Sequence, residues 1–132
     1  FKYFKDYLIG RNRVVKDLLM DQRFVAGLGN IYVNEILFLS RIKPSRKISG
    51  LKKIEIINIL KNIREVLKKA ILLGGSSIKN FSNSSGKEGN FQQHFKVYGR
   101  KGIKCSSFNC NGTIKKIFIS NRASFFCSIC QK

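Results

Sequence analysis

The chain has 132 residues, of which 43% are hydrophobic, and this size suits one domain or two small ones with a modest core. Its apolar runs are too short to span a bilayer and no signal peptide is visible, which excludes membrane-spanning and exported proteins. The 26 Lys and Arg residues outnumber 7 Asp and Glu residues, and the net charge of +19 indicates a polyanionic partner, usually nucleic acid. An acidic substrate or a lipid surface is also compatible with this charge. The excess is spread over both halves, so the chain is not a neutral body with a basic tail.

Three helices are predicted in the first part of the chain. Residues 14–20 and 31–40 read as two short helices joined by a glycine-bearing turn at 21–29, and the second ends before Pro44. Residues 51–73 carry apolar side chains at steps of three and four, which predicts an amphipathic helix ended by a following pair of glycines. The predicted buried face consists of Leu51, Ile54, Ile57, Leu60, Ile63, Leu67 and Ile71.

Residues 74–90 are rich in Gly, Ser and Asn, which is the composition of a loop. This composition is compatible with a functional loop and with a plain flexible linker. From residue 91 onward the pattern changes to short strands. Residues 115–119 and 123–126 are β-branched and aromatic runs between turn residues, so we predict a strand–turn–strand hairpin.

The four cysteines are arranged as two close pairs on either side of this predicted hairpin. Cys105 and Cys110 form one knuckle, and Cys127 and Cys130 form the other. Two thiolates from each tight turn suit a tetrahedral zinc site. The alternative is two disulfides, which are rare in the reducing compartment expected for a basic chain without an export signal. Because a small hairpin buries little surface, we expect metal chelation to unfold it.

Basic side chains surround the hairpin and alternate with phenylalanines. The bases are Arg100, Lys101, Lys104, Lys115, Lys116 and Arg122, and the phenylalanines are Phe118, Phe125 and Phe126. One interpretation is a solvated basic face over an aromatic core. We favour contact with nucleic-acid phosphates or a groove, because few acids are present to neutralise these bases.

The turn before the second helix has the sequence AGLGN and ends at Asn30. Its glycines permit close backbone approach, and the amides at the start of the following helix suit a phosphate. The side-chain amide of Asn30 could add a further donor. The alternative is an ordinary N-capping asparagine after a tight turn.

Two long stretches carry a family resemblance: LLMDQRFVAGLGNIYVNEILFLSRIKP, and FKVYGR followed by the four-cysteine ribbon that ends in NRASFFCSICQK. Together they resemble formamidopyrimidine-DNA glycosylase, the bacterial repair enzyme that removes oxidised purines, over residues 7–132. The resemblance implies a mainly α helix-two-turn-helix domain followed by a small β-hairpin four-cysteine zinc finger. The domain bounds are then 1–73 for the helical DNA-binding domain, 74–90 for a lesion-capping loop, and 91–132 for the finger.

The resemblance also implies roles for single residues. Asn30 and Arg122 match residues that bind a backbone phosphate beside the lesion, which suits a flipped-out nucleotide. Lys16 matches a lysine implicated in handling the damaged base, with a solvated helix lysine as the alternative. The matching residues of the lesion-capping loop are Ser76, Ser77, Lys79, Gly86 and Gly89. One zinc ion is implied at Cys105, Cys110, Cys127 and Cys130, although the family usually has two rather than four residues inside the first knuckle.

Catalysis in the family begins with an N-terminal proline amine that attacks C1′ of the damaged nucleotide, with a neighbouring glutamate as acid–base partner. The only proline here is Pro44, an internal tertiary amide, so no catalytic pair is assigned and Lys16 is the one candidate for an accessory role in catalysis. We therefore expect the DNA-gripping half of a glycosylase and AP lyase, inactive alone, with the N-terminal catalytic domain missing from the chain. His94 is interpreted as a loop or groove-facing residue, and Glu35 and Glu88 as structural.

The expected partner is double-stranded DNA that contains an oxidised purine or an abasic site. We expect a monomer, without membrane attachment, in the bacterial cytoplasm at the nucleoid. One alternative is a non-catalytic zinc-ribbon module that binds DNA or RNA. Another is membrane-surface binding by the helix at 51–73, which is disfavoured because its apolar stripe is needed for packing.

Overall fold

The structure is a computed structural model that describes residues 13–21, 29–72 and 95–132. Within these ranges three α-helices precede a two-stranded antiparallel hairpin. The elements are α1 (Val15–Met20), α2 (Asn30–Leu39), a 3₁₀ turn (Ile48–Gly50), α3 (Lys53–Leu72), β1 (Ile114–Ile119) and β2 (Arg122–Cys127). The predicted fold class, a helical unit followed by a small hairpin, is confirmed.

The two short helices differ from their predicted bounds by one residue at their starts. Val14 pairs with Lys47 in an isolated β-bridge, so α1 begins at Val15. The backbone of Gly29 is extended, and α2 begins at Asn30 directly after it. Helix α2 lies at the centre of the fold, because its residues contribute to the apolar clusters of both the helical unit and the hairpin.

Helix α3 buries a different face from the predicted one. Of the predicted face only Ile63 is buried, and it is joined by Ile56, Ile59 and Val66. Leu60 and Leu67, and Leu51 just before the helix, are partly buried at the edge of the core. Ile54, Ile57 and Ile71 are 59%, 40% and 79% exposed, so their assignment to the core is wrong. The helix carries two sets of apolar residues at steps of three and four, and it is the second set that joins the helical core.

The hairpin has a tight two-residue turn. Ile119 pairs with Arg122, and the intervening Ser120 and Asn121 have φ values of 51° and 64°. Two left-handed residues in succession are the signature of a type I′ turn, whose twist matches that of paired strands. The predicted strands are therefore confirmed, each with one or two more residues than expected.

The expected aromatic core of the hairpin is only partly correct. Phe125 and Phe126 are buried, but Phe118 is 68% exposed. The Nζ atom of Lys116 lies 5.3 Å from the centre of the Phe118 ring and 5.8 Å from that of Phe125, which is cation–π geometry. Tyr98 packs edge-on against Phe125, with ring centres 5.1 Å apart.

Two apolar clusters meet along helix α2. The larger contains residues from all three helices, and the smaller combines Phe38 of α2 with Val97, Ile114, Phe125 and cysteines. Tyr98 contacts both clusters and so joins the finger to the helical unit. Within the described ranges, no helix has the length and apolar character needed to cross a membrane.

Candidate functional site

The four cysteines converge at the end of the hairpin away from its turn. Their Sγ atoms all lie within 4.8 Å of one another, and all four thiols are free of disulfides. Cys105 and Cys130, and likewise Cys110 and Cys127, have Sγ atoms 3.6 Å apart. Ligands at ~2.3 Å around a tetrahedral ion are separated by roughly this distance, whereas bonded sulfurs are ~2.05 Å apart. The set could therefore hold one metal ion, and the disulfide alternative is wrong for this structure.

Backbone N–H groups near the first knuckle donate hydrogen bonds to cysteine sulfurs, which favours the thiolate forms of these cysteines. The N–H groups of Ser107 and Gly112 donate to the Sγ atoms of Cys105 and Cys110, at 3.5 and 3.4 Å. Gly112 is required there, because a Cβ atom at this position would lie 2.7 Å from the sulfur of Cys127. The long first knuckle therefore still places its two sulfurs in the cluster.

Burial without a cation opposes ionisation of part of the cluster. It raises the pKa of Cys130 to about 12 and also raises the pKa of Cys127. Burial acts in the same sense on Cys105, but there the N–H of Ser107 prevails and the pKa falls to about 7. A positive ion bound among the four sulfurs would favour their thiolate forms, which are the forms that bind a metal.

The turn end of the hairpin rests on helices α1 and α2. The Nζ atom of Lys16 donates to the carbonyl of Ala123, at 3.0 Å, and to the hydroxyl of Ser124. The hydroxyl of Ser120 donates to the carboxylate of Asp17 at 2.9 Å. Lys16 is only 1% exposed, so its interpretation as a solvated helix lysine is wrong. It instead ties α1 to strand β2.

The surroundings of Lys16 disfavour its charged form. Burial is the main cause and lowers its pKa to about 8, with a further lowering by the Arg122 guanidinium and a smaller opposing effect of Asp17. The two acceptors that Lys16 contacts, the carbonyl of Ala123 and the hydroxyl of Ser124, are both uncharged.

Asn30 lies at the start of α2 and faces the same carbonyl. Its Nδ2 atom donates to the oxygen of Ala123 at 3.1 Å. Asn30 is the first residue of the helix, the N-cap is Gly29, and no side-chain capping hydrogen bond is present. The N-cap alternative is therefore wrong.

Arg122 directly precedes Ala123 and is exposed. Within the described part of the chain, no hydrogen bond or ion pair involves its guanidinium. The fold thus brings Lys16, Asn30 and Arg122, which are far apart in sequence, to one end of the hairpin.

Asn34 belongs to this site and was not predicted from the sequence. Its Oδ1 atom accepts the N–H of Phe125 at 2.7 Å, and its Nδ2 atom donates to the carbonyl of Asn30 at 2.8 Å. It is 1% exposed. The available signal was its position one helical turn after Asn30, on the same face of α2.

Two other buried polar side chains hold the finger through its backbone. Glu35 accepts the N–H groups of three consecutive residues, at 2.6, 3.0 and 2.9 Å in the order Lys96, Val97 and Tyr98. Its predicted structural role is confirmed, although burial raises its pKa. Gln131 accepts the N–H of Cys127 and donates to the carbonyl of Ile42, both at 2.8 Å.

Several predicted residues lie outside the described ranges. These are the whole lesion-capping loop at 74–90 with Ser76, Ser77, Lys79, Gly86, Gly89 and Glu88, together with the glycines after α3 and His94.

Comparison with known proteins identifies relatives for both parts of the chain. The family model described as the formamidopyrimidine-DNA glycosylase H2TH domain matches residues 1–82. The formamidopyrimidine-DNA glycosylase of Rickettsia canadensis is 48% identical over 130 residues, which cover 98% of this chain and 47% of that protein.

Solved structures give the same result. The Lactococcus lactis Fpg in complex with DNA containing an abasic site is 41% identical, with a TM-score of 0.89 over 99% of this chain and 47% of that one. The same enzyme with DNA containing FAPY-dG has a TM-score of 0.87 at 40% identity, over 99% and 46%. The chain spans about half the length of the relatives it matches.

Proposed function

Because the chain belongs to the formamidopyrimidine-DNA glycosylase H2TH family, we propose that it is the DNA-gripping half of a bacterial base-excision-repair enzyme. The whole protein would be a glycosylase and AP lyase that removes oxidised purines and cleaves the abasic strand by β,δ-elimination. The observation that carries the proposal is the placement of Asn30 against the residue next to Arg122. The alternative, a free-standing zinc-ribbon module, does not account for the family match at residues 1–82, which precede the finger.

The phosphate clamp, by which we mean the side chains of Asn30 and Arg122, would bind a backbone phosphate beside the lesion. The side-chain amide of Asn30 has two hydrogens. One is donated to the carbonyl of Ala123, so the other can be donated to a phosphate oxygen. Arg122 adds an exposed charge, and α2 presents its N-terminal amides beside them. Among the described residues, nothing lies within 4 Å of where a side chain on Gly29 would project.

Lys16 would support this clamp by holding strand β2 in place. Because its Nζ atom is buried and hydrogen bonded to the hairpin, its role in handling the damaged base would act through Ala123 and Ser124. Asn30 and Arg122, rather than Lys16, would contact the DNA.

The metal is proposed to be one zinc ion, since a compact set of four thiolates favours it over harder cations. Its part is structural: it would close the finger and fix the strand that carries Arg122. Residues 1–73, 74–90 and 91–132 would act as helical domain, lesion-capping loop and finger of a monomer. The setting would be the bacterial cytoplasm at the nucleoid, where the DNA is.

Binding to duplex DNA with one abasic-site analogue tests the clamp. Replacing Asn30 or Arg122 by Ala should each weaken binding by about 1 to 3 kcal/mol, the range for charged or desolvated hydrogen bonds. The matched control is Arg64→Ala, which removes the same charge from the exposed face of α3 and should change affinity little. Fluorescence anisotropy at fixed salt provides the measurement. Unchanged affinity in both clamp variants would refute the assignment.

A further inference from the structure

We propose that Asn34 is the positioning residue of the phosphate clamp, because one side chain holds both the start of α2 and the strand that carries Arg122. The inference rests on the proposed function, since it concerns the geometry of the same clamp. Asn34 does not face solvent and would not touch DNA; its effect would be exerted entirely through Asn30 and β2.

The contacts of Asn34 connect two elements with one rigid group. Its amide nitrogen is 2.8 Å from the carbonyl of Asn30 and 3.4 Å from the Oδ1 atom of the same residue. Its amide oxygen is 2.7 Å from the backbone nitrogen of Phe125, three residues beyond Arg122. The nitrogen also lies 3.5 Å from the carbonyl of Ala123, which Asn30 contacts directly.

Strand β2 needs such partners along its free edge. Among the described residues the sheet has two strands, so one edge of β2 has no strand beside it there and its backbone groups must be satisfied by other means. Alternate residues on this edge are held by side chains: Ala123 by Lys16 and Asn30, Phe125 by Asn34, and Cys127 by Gln131. The helical unit therefore binds β2 as if it were an adjacent strand.

Asn34 supplies an acceptor to the backbone of β2, where Lys16 and Asn30 supply donors. Lys16 and Asn30 donate to the carbonyl of Ala123, and Asn34 accepts from the N–H of Phe125 on the same edge. Donors and acceptor together hold two successive outward-facing residues of β2, so a small shift of the strand along α2 would stretch hydrogen bonds of both kinds. Arg122 directly precedes Ala123, so its place would follow that of the strand.

Apolar packing alone would not provide this precision. Phe125 is buried in the small apolar cluster, and such contacts lack direction, so they tolerate small shifts. A buried amide with both of its polar atoms bonded has far fewer acceptable positions. This is the reason why a polar residue at this place in the core bears on DNA binding.

The test is a double-mutant cycle between Asn34 and Arg122 in the metal-loaded 132-residue chain, with abasic-site duplex as probe. Asn34→Ala should weaken binding about 5- to 10-fold and reduce the salt slope by about 0.9, the loss of one phosphate contact. Adding Asn34→Ala to Arg122→Ala should weaken binding by a smaller factor than Asn34→Ala does in the parent chain, because the Arg122 contact is already gone and only the hold on Asn30 remains to be lost. Asn34→Leu, which matches the original in size, replaces the Ala variant if the latter does not fold.

Two further variants separate positioning from general destabilisation. Asn62→Ala removes an asparagine hydrogen bond to Ser40 of 3.0 Å, away from β2, and should leave affinity and salt slope unchanged. Asn34→Asp keeps an acceptor for the N–H of Phe125 and should restore the salt slope of the parent chain. Thermal unfolding of each variant establishes that binding is measured on folded protein.

If the fold losses in DNA affinity of the two single variants multiply in the double variant, Asn34 acts independently of Arg122. The inference would then be overturned, and the phosphate clamp would stand. An unchanged affinity and slope in Asn34→Ala would do the same. If Arg122→Ala itself binds like the parent chain, the clamp fails and the inference fails with it, and the single variants identify this case.

Discussion

Two interfaces of the molecule differ in the kind of contact that holds them. One lies between helices α2 and α3, and the other lies between the helices and the finger. The first is apolar: Ile36 and Leu37 of α2 share a buried cluster with Ile59 and Ile63 of α3. The second is largely polar, with buried or partly buried side chains that bind the backbone of the finger. Apolar contacts supply non-directional stability, whereas hydrogen bonds to the backbone define one position.

This difference matches the tasks of the two regions. The helical unit needs to stay folded, and many apolar side chains of suitable size achieve that. In the proposed clamp the hairpin would have to present Arg122 at a defined place, although its own apolar cluster is small. Polar contacts, together with the proposed metal, would provide that placement. Because a buried polar group that loses its partner is destabilising, we expect the finger to unfold more abruptly than the helices.

Metal removal should produce the largest effect and separate the two regions. Structural zinc in small fingers is worth roughly 10 kcal/mol or more, so chelation should unfold the hairpin while the helical cluster persists. Hydrogen exchange should show lost protection at Ile117 and Phe126 and retained protection at Ile36 and Ile59. Freshly purified protein should contain about one zinc per chain. A metal content near zero, or a hairpin that stays protected after chelation, would contradict the assignment.

Substitution of Glu35 should give the next largest effect. Glu35→Leu leaves three buried or partly buried backbone N–H groups without their acceptor and should lower the free energy of unfolding by about 3 kcal/mol or more. Leu37→Met, in the apolar cluster of the same helix, should cost less than about 1.5 kcal/mol. Urea unfolding of the metal-loaded chain measures both. Equal losses would mean that the two interfaces do not differ in the way described.

What could be predicted from the sequence follows the same division. Helix bounds, strands and the cysteine cluster are local patterns, and the structure confirms them within one or two residues. The predicted buried face of α3 is wrong because this isoleucine-rich helix carries two sets of regularly spaced apolar residues. Only the packing of the helical unit selects between these two sets. Periodicity cannot resolve such a choice.

The burial of Lys16 and the role of Asn34 were missed for a different reason. Their partners are backbone groups of Ala123 and Phe125, about ninety or more positions away in sequence. Every residue has a carbonyl and nearly every residue has an N–H, so such contacts leave no mark on the identity of the partner. Only the family resemblance pointed to Asn30 and Arg122 together, and in the structure Asn30 donates to the carbonyl of Ala123, the residue after Arg122.

The smallest expected effect concerns the pH dependence of the polar interface. The pKa of Lys16 is about 8 in the folded chain and 10.5 in its reference state, so between these values the unfolded chain binds a proton that the folded chain has released. The free energy of unfolding should therefore rise with pH across this window, by about 1 to 3 kcal/mol. Lys16→Met should abolish the rise, whereas Lys61→Met on the exposed face of α3 should retain it. Urea unfolding at several pH values, with metal saturating so that bound thiolates do not titrate, provides the measurement. Parallel pH profiles for the parent chain and Lys16→Met would show that this lysine carries no cost of burial, and that the polar interface tolerates a charge as readily as the surface does.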